Sequence, residues 1–224
     1  MPNFIARQCR AATCRLRFPV ALGSGLGEAC PHCGGPTDAD PHGYDSHEVR
    51  EPALASPVRG PELEALFDNV RSLQNVGSMF RTADGAGVRH VHVTGFTPTP
   101  DHPTMKKTAL GAERTVPWTW HRDGAAAAAA LADAGLRLWA LEGGPRARPF
   151  FEALAERDGA PIVLVVGHEV SGVDPRILAR CEKVLALPML GIKGSLNVSV
   201  AFGIALYSLR FGTGPSVPSA VAYT

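Results

Sequence analysis

Four cysteines stand in two pairs in the first part of this 224-residue chain: Cys9 and Cys14, then Cys30 and Cys33 within Cys30-Pro31-His32-Cys33-Gly34-Gly35. A tetrahedral zinc ion takes four soft ligands from two turns, and a proline and paired glycines around a Cys-x-x-Cys let backbone amides turn toward the sulfurs. The spacing predicts a structural zinc site on Cys9, Cys14, Cys30 and Cys33. His32, His42 and His47 are substitute ligands that a closed four-thiol set leaves unused. A redox Cys-x-x-Cys would sit in a βαβ pattern, and none surrounds this one. Cys181, in a helical-looking stretch from 175 to 181, reads as buried packing.

Two later segments carry a different chemistry. Gly167-His168-Glu169-Val170-Ser171-Gly172 offers one carboxylate between glycines that permit close backbone approach to a ligand. Pro188-Met189-Leu190-Gly191-Ile192-Lys193-Gly194-Ser195-Leu196-Asn197-Val198-Ser199-Val200 is the richest run in the chain. Here Gly194 and Ser195 read as the start and cap of a helix whose free N–H groups face back toward the preceding loop. Taken singly, Gly172 is a turn residue and Ser195 a plain N-cap.

These loops must be positioned by regular elements. Leu63, Leu66, Phe67, Val70, Leu73, Val76 and Phe80 recur at helical spacing after Pro61, while His90-Val91-His92-Val93-Thr94 is a short β-branched run closed by Gly95. Further strands are expected at 116 to 120, 137 to 141, 162 to 166 and 184 to 187. Helical stretches centre on Met105, Ala128, Leu154 and Ile177, and a last helix runs from Ser195 to about Leu209. Alternation of helices with fully apolar strands such as Ile162-Val163-Leu164-Val165-Val166 indicates an α/β domain, a parallel sheet with helices on both faces. Ligands of such sheets bind beyond the carboxyl ends of the strands, which selects the loops after Val93, Leu141, Val166 and Leu187.

Residues 37 to 61 are rich in Pro, Gly, Asp and Ser without an apolar period and read as a linker. The chain thus divides into a zinc-ribbon-like module at 1 to 36, the linker, an α/β domain at 62 to 212 and a tail at 213 to 224. Gly23-Ser24-Gly25-Leu26-Gly27 lacks the strand and helix of a phosphate loop and reads as the ribbon's turn. A formal net charge of +1 gives no global basic field, so a nucleic-acid partner would be held by local patches. Lys106, Lys107 and Arg114 form one such patch; the arginines beside Cys9 and Cys14, facing only Glu28 before Asp38, form another. Trp118 and Trp120 read as core or dimer packing. Neither a membrane span nor a secretory signal is evident, and the cytoplasm is the expected compartment.

Three segments together resemble one family. Asn75-x-Gly77-x-x-x-Arg81-Thr82-Ala83, Gly167-x-Glu169-x-x-Gly172, and Leu187-Pro188-Met189-x-Gly191 leading to Ser195-Leu196-Asn197-Val198-Ser199-Val200-Ala201 look like the three motifs of the SpoU branch of the SPOUT methyltransferases, in the same order and spacing. Lys107-Thr108-Ala109-x-Gly111-Ala112 also resembles a family segment, and the likeness covers about residues 62 to 210.

The resemblance implies a C-terminal deep trefoil knot, a homodimer, and 2′-O-methylation of tRNA or rRNA ribose with S-adenosylmethionine. Carried to matching positions, it makes Arg81 the catalytic arginine and Asn75 its positioner. Glu169 would hold substrate or partner groups, and Ser195 and Asn197 would line the reaction centre. Gly167, Leu187, Met189 and Leu196, with Leu141, would contact the cofactor. A guanidinium is a poor base, its pKa lying above about 12, so stabilisation of a developing alkoxide suits Arg81 better. The alternative is a zinc-ribbon RNA-binding protein with an inactive methyltransferase domain; the intact set of Asn75, Arg81, Glu169 and Asn197 disfavours it. A small-molecule or protein methyltransferase of Rossmann type is disfavoured by the missing Gly-x-Gly-x-x-Gly.

Overall fold

The computed structural model describes residues 3–45 and 60–212, which fall in two compact units, Met1–Ser56 and Pro57–Thr224. Most of the expected linker, 46 to 59, and the expected tail, 213 to 224, lie outside the described residues.

The first unit is a three-stranded antiparallel sheet in which β1 (Phe4–Cys9) lies between β2 (Arg17–Ala21) and β3 (Thr37–Tyr44). Strand β3 falls in the stretch read from sequence as linker. It pairs with β1 from Cys9 opposite Thr37 to Phe4 opposite Tyr44, with an irregularity between Ile5 and Arg7. Its residues are mostly exposed, so no apolar alternation marked it. Pro41 is tolerated because β3 is an edge strand. The glycine-rich turn after β2 carries Gly23, Gly25 and Gly27 at positive φ, as a ribbon's turn requires.

The second unit is a seven-stranded sheet, parallel throughout. Its strands are β4 (Leu63–Asp68), β5 (His90–Thr94), β6 (Trp118–His121), β7 (Arg137–Leu141), β8 (Arg148–Pro149), β9 (Ile162–Val166) and β10 (Lys183–Ala186), in the order β6-β5-β4-β9-β7-β10-β8. Successive residues of a strand point to opposite faces. Ala65, Phe67, Ile162, Leu164 and Val166 accordingly join one apolar core, and Leu66, Val163 and Val165 a second. The helices are α1 (Leu73–Gly85), α2 (Lys106–Ala109), α3 (Ala112–Thr115), α4 (Gly124–Asp133), α5 (Phe150–Ala153, continued by a 3-10 turn, Leu154–Glu156), α6 (Pro175–Leu178) and α7 (Val198–Phe211).

Several boundaries differ from the sequence reading for physical reasons. Leu63 to Val70 does not begin a helix: Leu63–Asp68 is a strand buried along its whole length, and continuous burial hides the two-residue period. Helix α1 starts only after Ser72, whose hydroxyl accepts the Asn75 N–H. The last helix is capped by Asn197 rather than Ser195; the Asn197 side chain accepts from the N–H groups of Ser199 and Val200. Strands β6 and β10 sit one or two residues from the expected positions. The helical stretches near Met105 and Leu154 shrink to single turns, and Cys181 lies beyond α6, half-buried, with its thiol donating to the Ile177 carbonyl.

Two close fits lock α1 in place. A Cβ on Gly77 would come within 2.0 Å of the Thr108 hydroxyl, so only glycine lets α2 approach α1 here. At the other end, the buried Arg210 of α7 donates from Nε to the Ala86 carbonyl (2.8 Å), from Nη1 to Pro61 (2.7 Å) and from Nη2 to Gly87 (2.9 Å). Burial lowers the Arg210 pKa and the Glu62 charge opposes that shift, while the three carbonyls clamp the guanidinium in place. Arg210→Met, which keeps the aliphatic stem, should therefore cost at least about 1–3 kcal/mol in urea unfolding, the penalty of orphaned buried carbonyls; a loss within the scatter of surface substitutions would show that the clamp is dispensable.

Candidate active site

Beyond the carboxyl edge of the sheet, the ends of β7, β9 and β10 and the start of α7 enclose a cavity of about 350 Å³, the size of a small-molecule site. Leu141, Gly167, Leu187, Met189 and Leu196 all line it, as do Glu169, Ser195 and Asn197. Among the described residues the lining includes Glu142 and Glu169 and no lysine or arginine.

The loop from 167 to 174 is built by satisfying its own N–H groups. His168 and Gly172 exchange backbone hydrogen bonds (3.1 and 2.9 Å), and His168 Nδ1 accepts from Val170 and Ser171, both at 3.1 Å. Glu142 Oε2 accepts from Val173 (2.8 Å), and the buried Asp68 Oδ2 accepts from Asp174 (2.8 Å). The glycines follow from this crowding. A Cβ on Gly167 would lie 2.4 Å from Gly172 and Val173 backbone atoms, and one on Gly172, at φ +74°, would meet the Glu142 carboxylate at 2.3 Å.

Glu169 faces the other way, toward the N-terminus of α1. Its Oε2 accepts from Arg71 N–H (2.9 Å), and its Oε1 from Ser72 N–H (3.0 Å) and Asn75 Nδ2 (3.0 Å). Partial burial pushes its pKa upward, but the amides of Arg71, Glu169 itself and Ser72, with the Asn75 side chain, outweigh it and hold the carboxyl at about 2. Asn75 Oδ1 in turn accepts from Asn197 Nδ2 (3.1 Å), and Asn197 Oδ1 accepts from Ser199 N–H (2.9 Å) and its hydroxyl (2.7 Å). One line of hydrogen bonds thus joins the three sequence motifs.

The remaining sequence-selected residues lie elsewhere. Arg81 is on α1, exposed, and borders a separate shallow cleft with Ser78, Thr82, Gly203 and Tyr207 rather than the cavity. Lys106 and Lys107 are exposed on α2; Arg114, also exposed, lies 3.9 Å from Glu113. Trp118 packs on the core as expected, but Trp120 is largely exposed, its indole donating to the Gly95 carbonyl (2.9 Å). Sequence reasoning missed Glu142 and Asp68. Both are carboxylates at the carboxyl end of a strand, the place where such a sheet builds its site, and that position was the available signal.

In the first unit, the sulfurs of Cys9, Cys14, Cys30 and Cys33 lie within 4.8 Å of one another, with Cys9 and Cys33 at 3.4 Å and Cys14 and Cys30 at 3.7 Å. Four ligands at the usual zinc–sulfur distance of about 2.3 Å stand roughly 3.8 Å apart, so the thiols fit one tetrahedral ion. Burial pushes the Cys9 thiol up to about 12, whereas amides led by that of Cys33 draw Cys30 down to about 7. The basic patch expected beside them is largely neutralised: Arg10 pairs with Asp38 and Arg17 with Asp40, both carboxylates supplied by β3, and Arg7 donates to Thr37.

A parallel sheet with helices on both faces, a cavity at its carboxyl edge and a side-chain-pinned glycine loop define an α/β ligand-binding domain. The SpoU rRNA Methylase family model matches residues 62–207, and the chain belongs to that family. It is 33% identical over 152 residues to the tRNA (guanosine(18)-2′-O)-methyltransferase of Thermus thermophilus, covering 68% of this chain and 76% of that one. It is 31% identical to the 23S rRNA (guanosine-2′-O-)-methyltransferase of Pectobacterium atrosepticum, covering 70% and 62%. Among solved structures, the A. aeolicus TrmH/SpoU tRNA modifying enzyme superposes with a TM-score of 0.61 at 28% identity, over 69% of this chain and 76% of that one.

The Glu169 geometry makes a pH prediction. Because the folded carboxyl lies below its ordinary 4.5, at about 2, the stability it contributes is complete above 4.5 and is lost as pH falls between these values. Glu169→Gln should flatten that part of the acid-unfolding curve followed by circular dichroism; an acid limb identical to that of the parent would mean that the carboxylate does not hold α1.

Proposed function

We propose that this chain transfers a methyl group from S-adenosylmethionine to a ribose 2′-hydroxyl of tRNA or rRNA, acting as an enzyme of the cytoplasm. The observation that carries the reading is the cavity, whose wall brings all five expected cofactor residues together beside the line from Glu169 through Asn75 to Asn197. Both named relatives are RNA ribose methyltransferases, one for tRNA and one for 23S rRNA. Among the described residues the cavity wall also holds no lysine or arginine to repel S-adenosylmethionine, which is positively charged at sulfur and at its amino group. No helix among the described residues is long and apolar enough to cross a membrane.

Bound in this cavity, S-adenosylmethionine supplies a methyl group already activated by its sulfonium. The protein's share is alignment and management of the departing hydroxyl proton. Leu141, Leu187, Met189 and Leu196 would hold the cofactor's apolar surfaces, and Gly167 would let it approach the backbone. Ser195 and Asn197 border the reaction centre, and Asn75 and Glu169 hold that border rigid. The Arg81 guanidinium stabilises the negative charge that develops on the ribose oxygen as its proton passes to solvent.

Arg81 reaches that centre through a homodimer. Val200, Ile204, Tyr207 and Phe211 form an exposed apolar stripe on one face of α7, and Gly203 and Tyr207 of the same helix border the cleft of Arg81. Pairing of this face with a second copy would cover the stripe and bring each Arg81 toward its partner's cavity. A trefoil knot through the segments around β10 and α7 belongs to the same reading, supported by family membership. The four-cysteine module holds structural zinc, and Lys106, Lys107 and Arg114 bind RNA phosphates.

Incubation of the protein with methyl-labelled S-adenosylmethionine and total RNA, followed by digestion to nucleosides, should place the label on 2′-O-methylnucleosides; label on a base or none at all would refute the reading. Arg81→Ala should bind the cofactor normally yet transfer at least ~10²-fold more slowly, and Arg81→Lys should not restore the rate. Near-normal turnover in either variant would return Arg81 to the solvent. Elemental analysis should find about one zinc per chain in the parent and none in a Cys30→Ser/Cys33→Ser double variant, which should still bind S-adenosylmethionine; a metal-free parent would end the zinc assignment.

A further inference from the structure

We propose that Phe96, backed by Trp120 and Arg122, is a platform on which an unpaired base of the RNA substrate stacks at the mouth of the cofactor cavity. The inference rests on the reading of the chain as an RNA methyltransferase. Phe96, two residues beyond β5, is 60% exposed. A single exposed aromatic residue is ordinary, but this one is fixed in position. Gly95 adopts φ +61°, and a Cβ there would lie 2.1 Å from Asn69 Oδ1. Asn69, itself left-handed at φ +54°, receives the Phe96 N–H on that oxygen (3.4 Å). The Gly95 N–H donates to the His121 carbonyl (3.0 Å), and the Trp120 indole donates to the Gly95 carbonyl (2.9 Å). One left-handed non-glycine residue, Asn69, and three hydrogen bonds are thus committed to holding an apolar ring out in solvent, an arrangement found where a site uses it.

The location of the ring identifies its use. Phe96 stands edge-on to His168, with ring centroids 5.9 Å apart and planes at 87°, and His168 lines the cofactor cavity. The aromatic surface therefore begins at the rim across which a nucleotide must enter for its ribose to reach the methyl group. Trp120, 44% exposed on the edge strand β6, is tied through its indole to the carbonyl of Gly95 next to Phe96, and the Arg122 guanidinium lies 5.9 Å from its ring centroid. Arg122 has no carboxylate partner among the described residues. Aromatic rings that take a base, beside a free cation that takes a phosphate, are the two components of single-stranded RNA recognition. A second copy of the chain has its own apolar stripe on α7 and does not need this surface.

The test compares two probes on the full chain: a fluorescein-labelled oligoadenylate of about 12 nucleotides, within the span one such groove binds, and inorganic polyphosphate, which offers charge without bases. Phe96→Ala should weaken oligoadenylate binding by roughly tenfold, the scale of one lost stacking partner, while leaving affinity for polyphosphate and for S-adenosylmethionine unchanged. Phe96→Tyr should restore oligoadenylate binding, and unchanged cofactor binding certifies that the variants are folded. Equal affinity of parent and Phe96→Ala for oligoadenylate, or equal loss of both probes, would overturn the platform. Dissociation of a dimer by Phe96→Ala in ultracentrifugation would assign the ring to a second copy instead. A parent protein that methylates no RNA would bring down the underlying reading, whereas a methylating parent with an indifferent Phe96 would bring down only this one.

Discussion

The side-chain amide of Asn75 has a donor end and an acceptor end, and the carboxylate of Glu169 can take only the donor. That fixes the rest of the line. With Nδ2 committed to Glu169, Oδ1 must face Asn197; Asn197 must answer with its own Nδ2, which leaves its Oδ1 free to cap α7. Three segments distant in sequence are thereby held in one register by groups that cannot be exchanged for isosteres. Aspartate at 75 would set a carboxylate against Glu169, and leucine would orphan both neighbours. The cavity is the space this register leaves between α7 and the loop after β9.

The loop itself shows why the site is rigid without being covered by regular structure. A loop leaving a buried parallel strand takes its amides out of the ladder, and in this loop they are bonded within the protein instead. His168, Glu142 and Asp68 provide the acceptors from within the loop, from the residue after β7 and from β4. The glycine spacing of the second motif is the consequence. Gly167 and Gly172 lie where a backbone or a carboxylate passes too close for any side chain, so the motif records packing as much as ligand contact.

Much of this could be read from residue order. The parallel sheet followed from apolar runs such as 162 to 166 alternating with helical periods, and the ligand loops from their positions after those runs. The cavity residues followed from the motifs. Legibility failed where a signal was cancelled. Strand β4 is buried on both faces and so imitates a helix; β3 is exposed on both and so imitates a linker. The charge of the cysteine module was misjudged for the same reason, since Asp38 and Asp40 sit on the strand that went unrecognised and pair with Arg10 and Arg17. Arg81 stood in the same motif as Asn75, yet six residues along a helix turn it away from the cavity, and no reading of spacing alone reveals what lies on that side.

The most direct test of this account is a double-mutant cycle on S-adenosylmethionine affinity, measured by calorimetry for the parent, Asn75→Ala, Glu169→Ala and the double variant. If the hydrogen-bonded line holds the cavity in register, the two losses should be non-additive by at least about 0.5 kcal/mol, as for residues in one network, with the double variant little worse than the poorer single one. Strictly additive losses, or single variants that bind the cofactor like the parent, would contradict it.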